Sequence, residues 1–189
     1  IQQLLRESRD EGTRRRIAKL WTGESTRKVV IEKYAAATEI PGNIDRGKEL
    51  FSKHCAACHR LQGVGHDVAP NLAALTDRSA NALLIAIMDP NQAVEDKYVD
   101  YIVVTNDGRT FRGMMGLETD THVVLHAGDN KQFTIPRSDI EELVSSGRSL
   151  MPDGFERQVD QQQLADLITY LQRTRSAPKS FEGNKPKIP

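Results

Sequence analysis

The most constraining feature of this chain is the string Cys55-Ala56-Ala57-Cys58-His59, which contains both of its cysteines. A C-x-x-C-H string is the attachment signature of a c-type haem. Two thiols at this spacing on one helical turn can each add to a haem vinyl group, and the adjacent His59 can supply an imidazole nitrogen to the iron. The string therefore predicts one covalent haem c, bound through Cys55 and Cys58, with His59 as an iron ligand.

Two other uses of paired cysteines fit the sequence less well. A thioredoxin-like redox pair lies near a βαβ pattern, whereas residues 46–51, just before the motif, have a helical pattern. A structural zinc site needs four ligands, usually in two separated pairs, and here only His54, His59 and His66 could complete it. A chance occurrence is disfavoured because both cysteines fall inside the motif. Haem attachment is the favoured interpretation.

Length and composition suit one folded domain or two small ones. The chain has 189 residues, 38% of them hydrophobic, and 26 basic residues balance 26 acidic ones. This balance disfavours a nucleic-acid-binding protein that relies on overall positive charge, and also a disordered polyelectrolyte. The longest apolar run, residues 82–88, is far shorter than the roughly 20 residues that span a bilayer. We therefore predict no nucleic-acid partner and no membrane span in this chain.

The two ends of the chain carry no recognisable chemistry. Residues 1–41 contain two or three amphipathic helical patterns and are expected to form a helical extension, which could be the end of a helical repeat region. Residues 176–189 are polar and rich in Lys and Pro, as in a linker or tail. The first residue is Ile and no signal peptide is visible. We expect the sequence to be a piece of a longer chain.

Two helices are predicted on either side of a long middle segment. The first follows a turn-like stretch at residues 42–45 and ends at about Lys53. The second is amphipathic and covers residues 160–173, where Asp160 and Gln163 resemble a capping pair. Gly47 on the first helix would allow the second helix to cross it closely, against Tyr170 or Leu171.

The pattern between residues 98 and 136 is that of strands. Four short stretches alternate or are rich in β-branched residues: 98–105, 110–117, 121–126 and 132–135. The turns are supplied by Asn106-Asp107-Gly108 and Gly128-Asp129-Asn130. This segment predicts a small antiparallel sheet of about four strands, inserted at about residues 98–136.

Several elements, taken in order, resemble a class I cytochrome c: Gly47-x-x-x-Phe51, the haem motif, Pro70-Asn71-Leu72 and the final Leu-Ile-Thr-Tyr-Leu helix. More narrowly, the chain resembles the haem-binding domain type found in Planctomycetes and Verrucomicrobia. There the pattern continues through Met88-Asp89-Pro90, Thr105-x-Asp107-Gly108 and Ser149-Leu150-Met151-Pro152. The resemblance implies a mainly α, cytochrome c-like fold at residues 42–175, with the inserted antiparallel sheet and the helical N-terminal extension.

The resemblance also implies a thioether sulphur as sixth ligand and electron transfer in the periplasm or otherwise outside the cytoplasm. By the same match the carbonyl of Pro70 would accept the ring N–H of His59 and fix its tautomer. Related domains are fused to dehydrogenase-like modules, so the expected partner is a redox protein or a fused dehydrogenase domain. Electrons are expected to pass at the haem edge lined by Ala56, Ala57 and residues 61–64.

Four methionines and four histidines are candidates for the sixth ligand of the iron. Met151 lies in the loop before the last helix, where Pro152 stiffens the chain and a thioether can approach the haem face opposite His59. His122, His126 and an open site stay as alternatives. The other candidates are less well placed: Met88, Met114, Met115, His54 and His66.

The sequence thus predicts a one-electron carrier rather than an enzyme, although it could form part of a larger oxidoreductase. The alternative is a haem enzyme, or a gas or redox sensor, with an open or bis-histidine sixth site. His59 and Met151 are the predicted iron ligands. The full set of predicted haem-binding residues is Cys55, Cys58, His59, Pro70 and Met151.

Overall fold

The structure is a computed structural model that describes residues 23–173, with side chains described from Arg27 onward. This part of the chain forms four α-helices and one five-stranded sheet. The helices are α1 (Gly23–Tyr34), α2 (Ile44–His54), α3 (Ala80–Met88) and α4 (Gln161–Arg173). The strands are β1 (Val99–Thr105), β2 (Thr110–Glu118), β3 (His122–Ala127), β4 (Lys131–Pro136) and β5 (Ile140–Ser149). No helix within residues 23–173 is long and apolar enough to cross a membrane.

The predicted mainly α fold class is wrong, because the sheet is larger than the sequence pattern indicated. The four predicted strands are present as β1 to β4, and β5 adds a fifth that pairs antiparallel with β1. The strand order is β4-β3-β2-β1-β5, so β5 lies at an edge and the sheet extends to Ser149. Glu141 and Glu142 of β5 are exposed, as is common on edge strands. The described chain combines helices with a substantial antiparallel sheet.

The sheet has a hydrophobic core of its own, apart from the core between the helices. Val103, Val123, Leu125 and Ile135 are buried and form its centre. Alternate residues of each strand share a face, which is why buried positions recur at two-residue intervals in β3 and at the end of β1. The inserted segment therefore packs as a separate layer.

Helices α2 and α4 cross closely, as the small residue in α2 predicted. A Cβ atom built on Gly47 would lie 2.7 Å from Cβ of Tyr170 and would overlap the carbonyl of Asp166. One turn later, the ring of Phe51 packs against that of Tyr170 with centroids 5.6 Å apart. The absent side chain at position 47 thus lets the two helices approach.

Both helices begin with side-chain caps. The Asn43 side chain accepts a hydrogen bond from the Arg46 amide at 3.0 Å. At the start of α4, the Gln163 amide donates to Asp160 Oδ1 at 2.8 Å, while the Asp160 amide donates to Gln163 Oε1 at 2.9 Å. This reciprocal capping box confirms the predicted pair and fixes where α4 begins.

Helix α1 corresponds to the third helical pattern of the predicted N-terminal extension, and it packs on the helical core. The Arg27 guanidinium forms an ion pair with Glu156 at 2.8 Å, just before α4. The Tyr34 hydroxyl donates to the Val159 carbonyl at 2.7 Å. The earlier helical patterns and the tail at residues 176–189 lie outside the described residues. The domain division at residue 41 stays a prediction.

Replacing Gly47 by valine should destabilise the protein by about 3 kcal/mol, because overpacking a close helix crossing forces the backbones apart. Urea unfolding followed by circular dichroism measures this change. Lys48→Val, on the exposed side of the same helix, controls for helix propensity and should cost only about 0.5 kcal/mol. Equal stabilities of the two variants would show that the crossing does not depend on Gly47.

Candidate functional site

The cysteine motif continues the last turn of α2. Cys55 follows the helix as its C-terminal cap, and its amide donates to the Phe51 carbonyl at 2.8 Å. The amides of Cys58 and His59 both donate to the Cys55 carbonyl, at 3.1 and 2.9 Å. The segment is therefore a tight turn that brings His59 one turn beyond Cys55.

His59 is held by the loop that follows the motif. The Cys58 carbonyl accepts hydrogen bonds from the amides of Val68 and Ala69, at 3.1 and 2.8 Å, which draws the loop back to the motif. The carbonyl of Pro70 lies 2.8 Å from His59 Nδ1. Because a carbonyl can only accept, Nδ1 carries the proton and Nε2 keeps its lone pair for a metal. Burial lowers the pKa of His59, although the Pro70 hydrogen bond opposes this, so the neutral ring is favoured.

His59, Cys55 and Met151 line one cavity of about 340 Å³ between the helices. Its walls are mostly apolar and come from α3, α4 and the loops beside them: Leu72, Leu75, Ala82, Leu83, Ala86, Ile87, Leu167 and Leu171. Pro70, Pro152 and Phe155 also contribute. An apolar cavity with a thiol, an imidazole and a thioether at its wall has the donor set and surroundings that suit a c-type haem.

The electrostatics of the two thiols do not suit a cysteine redox pair. Burial raises the pKa of Cys55 to about 12. The pKa of Cys58 is raised by burial and then by the negative charge of Asp129. A reactive redox pair needs a lowered thiol pKa. Within residues 23–173, His, Cys, Asp and Glu side chains do not gather in a group of three or more that could hold a bare metal ion.

The inserted sheet reaches the motif through the turn between β3 and β4. The Asp129 amide donates to the Ala57 carbonyl at 2.7 Å. A Cβ atom built on Gly128 would lie 3.6 Å from Sγ of Cys58. Ala57 is exposed, but Leu61 is fully buried. Leu61, which was expected at the exposed haem edge, therefore belongs to the core, and the turn of the sheet lies against the motif; the electron-exchange edge itself stays a prediction.

Of the eight candidates for the sixth ligand, Met151 and His54 line the cavity. His54 packs edge-on against the ring of Phe155, with centroids 5.4 Å apart. Met88 is fully buried in the helical core, and His66 is exposed. The remaining four candidates belong to strands of the sheet: Met114, Met115, His122 and His126.

Some residues that shape the site were missed in the sequence. The Arg78 guanidinium donates to the carbonyls of Leu171, at 2.5 Å, and Leu72, at 2.6 Å. It thus ties the loop after Pro70 to the end of α4. Asn91 contacts the loop of Met151. Neither residue lies in a periodic pattern, and the contacts of Arg78 with Leu171 and of Asn91 with Ser149 span 93 and 58 positions, so no local signal indicated them.

Comparison with known proteins matches this chain to a family model and to solved structures. An X-ray structure of a Northeast Structural Genomics Consortium target is 18% identical to this chain. The match covers 25% of this chain and 89% of the other chain, with a TM-score of 0.23. That likeness is too small to support any conclusion. The family model described as cytochrome c matches residues 44–145, more than half of the chain, in a span that includes the haem motif and ends before Met151. The chain belongs to the cytochrome c family, whose members transfer electrons by means of a covalently bound haem.

Proposed function

We propose that this chain is a one-electron carrier in which one haem c is attached to Cys55 and Cys58, with His59 and Met151 as the two axial ligands. The observation that carries the proposal is that His59 and Met151, far apart in sequence, line the same apolar cavity as Cys55. Family membership supports the haem itself, and the cavity supports this choice of ligands.

The residues around the cavity have separate tasks in this proposal. Pro70 orients the His59 ring and keeps its proton on Nδ1, which leaves Nε2 available to the metal. Met151, at the wall of the same cavity, would supply its thioether as the second protein ligand of the iron and would keep water and small ligands away from the metal. The apolar walls, which come from α3 and α4, would give the haem surroundings of low polarity. Low polarity disfavours the more highly charged oxidised state and so raises the reduction potential.

When bound, the haem supplies a couple between ferric and ferrous iron that stores a single electron. With His59 and Met151 as its two protein ligands, the iron would have no open position for a substrate. We therefore assign the chain to electron transfer rather than to catalysis at the iron, either alone or as the redox domain of a larger oxidoreductase.

The proposed partner is a redox protein, or a dehydrogenase domain fused to this chain or associated with it, outside the cytoplasm. Ala57, a small exposed residue beside Cys58, would let a partner approach the attachment segment. Contacts between redox partners are usually small and weak, and a tether compensates by raising the local concentration.

The test is a redox titration of the purified haem protein with absorption spectra of both oxidation states. We expect a single-electron transition, a far-red sulphur-to-iron band in the ferric state and slow binding of carbon monoxide in the ferrous state. Rapid carbon monoxide binding, turnover of peroxide or a bis-histidine spectrum would contradict the proposal and favour the enzyme or sensor alternative.

A further inference from the structure

The side chain of Asn91 connects to both ends of the Met151 loop. Its Oδ1 accepts a hydrogen bond from the Ser149 amide at 2.9 Å. Its Nδ2 donates to Asp153 Oδ1 at 2.7 Å. Ser149 and Asp153 lie two residues before and two residues after Met151. The side chain of Asn91 thus holds the loop on both sides of Met151.

The loop also has internal contacts that give it a defined shape. The Met151 amide donates to Ser149 Oγ at 3.1 Å. The Arg148 guanidinium pairs with Asp153 across the loop. Pro152 and Asp153 are exposed, so packing alone holds this segment weakly. Hydrogen bonds therefore have a large share in determining where Met151 lies.

Asn91 is itself attached to the wall of the cavity. It follows α3 closely, and that helix contributes Leu83 and Ile87 to the cavity. The helix ends with the Asp89 amide, which donates to the Ile85 carbonyl at 2.8 Å, and the turn that contains Asn91 is closed by the Gln92 amide, which donates to the Asp89 carbonyl at 3.1 Å. The position of Asn91 is thus set by the same helix that lines one side of the site.

We infer that Asn91 is a positioning residue for Met151, which it holds towards the cavity by hydrogen-bonding Ser149 and Asp153 on either side. This inference rests on the proposed function, in which Met151 is the sixth ligand. Without the two bonds the loop would open more often, and external ligands bind in proportion to the population of the open state. The loss of two hydrogen bonds should raise that population roughly tenfold.

The experiment compares variants of the haem-loaded protein. Asn91→Ala removes both hydrogen bonds. The double variant Asn91→Asp with Asp153→Asn exchanges the two polar groups, so that the carboxylate at position 91 can accept from both the Ser149 amide and the new amide side chain. Asn106→Ala is the matched control, because the Asn106 side chain bonds the Ser138 carbonyl at 2.9 Å in another loop beside the sheet.

Two readouts are measured: the rate of cyanide binding to the ferric protein, and amide hydrogen exchange at Ser149 and Met151. For Asn91→Ala we expect cyanide binding and Ser149 exchange to be roughly tenfold faster than in the wild type, with a weaker far-red band. The double variant should return close to wild-type values, and Asn106→Ala should match the wild type.

The outcomes separate this inference from the proposal on which it rests. A wild-type protein without the far-red band would overturn Met151 ligation and the positioning role together. A wild-type band accompanied by unchanged cyanide binding and Ser149 exchange in Asn91→Ala would overturn the positioning role alone. An effect of Asn106→Ala equal to that of Asn91→Ala would also overturn it, because the change would then reflect general loosening of the protein.

Discussion

Replacing both Cys55 and Cys58 by alanine should abolish retention of haem by the denatured chain. These are the only cysteines of the sequence, so no other thiol can form a thioether bond. Each single variant should retain some haem through its remaining thiol, while the double variant should retain essentially none. The mass of the denatured chain, before and after extraction with acid–acetone, measures the result.

Circular dichroism of the double variant shows whether the helical content of the protein is retained. Haem that stays attached to the denatured double variant would show that attachment does not depend on the motif. Such a result would contradict the assignment of Cys55 and Cys58.

Replacing Met151 by alanine should open the iron and lower the reduction potential. A thioether ligand raises the potential, and axial ligands tune haem proteins over roughly 0.8 V, so the expected decrease is a sizeable part of that range. The variant should lose the far-red band and bind carbon monoxide and cyanide rapidly. Potentiometric titration with simultaneous absorption spectra measures both changes.

Met115→Leu is the matched control for this variant. Met115 is a half-buried residue of β2 and packs against the core of the sheet. A volume-conserving replacement there should cost less than about 1.5 kcal/mol of stability and leave the potential unchanged. A far-red band that survives in Met151→Ala would show that the sulphur of another methionine binds the iron, whereas a bis-histidine spectrum of the wild type would point to a histidine such as His54, which also lines the cavity.

Local patterns predicted the parts of the fold that depend on neighbouring residues. The capping box of Asp160 and Gln163 is such a case, because both hydrogen bonds join residues within one helical turn. The turn at Asp129 and Asn130 is another, since both residues have φ near +60°, as a two-residue hairpin turn requires. Strands β1 to β4 were predicted because apolar and polar residues alternate along them or because they are rich in β-branched residues.

Strand β5 could not be predicted in the same way. Glu141, Glu142 and Ser145 give it a polar sequence, and its conformation depends on pairing with β1, about forty residues earlier. An edge strand of this kind has little apolar alternation of its own. Because this strand was missed, the sheet was underestimated and the fold class was predicted as mainly α.

In the candidate site, too, contacts between neighbouring residues were predicted and most contacts between residues far apart in sequence were not. The motif at Cys55–His59 predicted the attachment chemistry because its residues are adjacent. The 2.8 Å contact of His59 with Pro70 was expected from the family resemblance. The connections of Asn91 with Ser149 and of Asp129 with Ala57 join residues that are 58 or more positions apart. Contacts at that separation depend on the finished fold and leave no local pattern.

The most direct test of the account is the mass of the wild-type chain after denaturation and acid–acetone extraction. Covalent attachment at Cys55 and Cys58 predicts that the mass of the chain rises by one haem and that the extracted solvent stays colourless. Haem released into the solvent, together with a chain of unmodified mass, would contradict the claim that this protein is a c-type haem carrier.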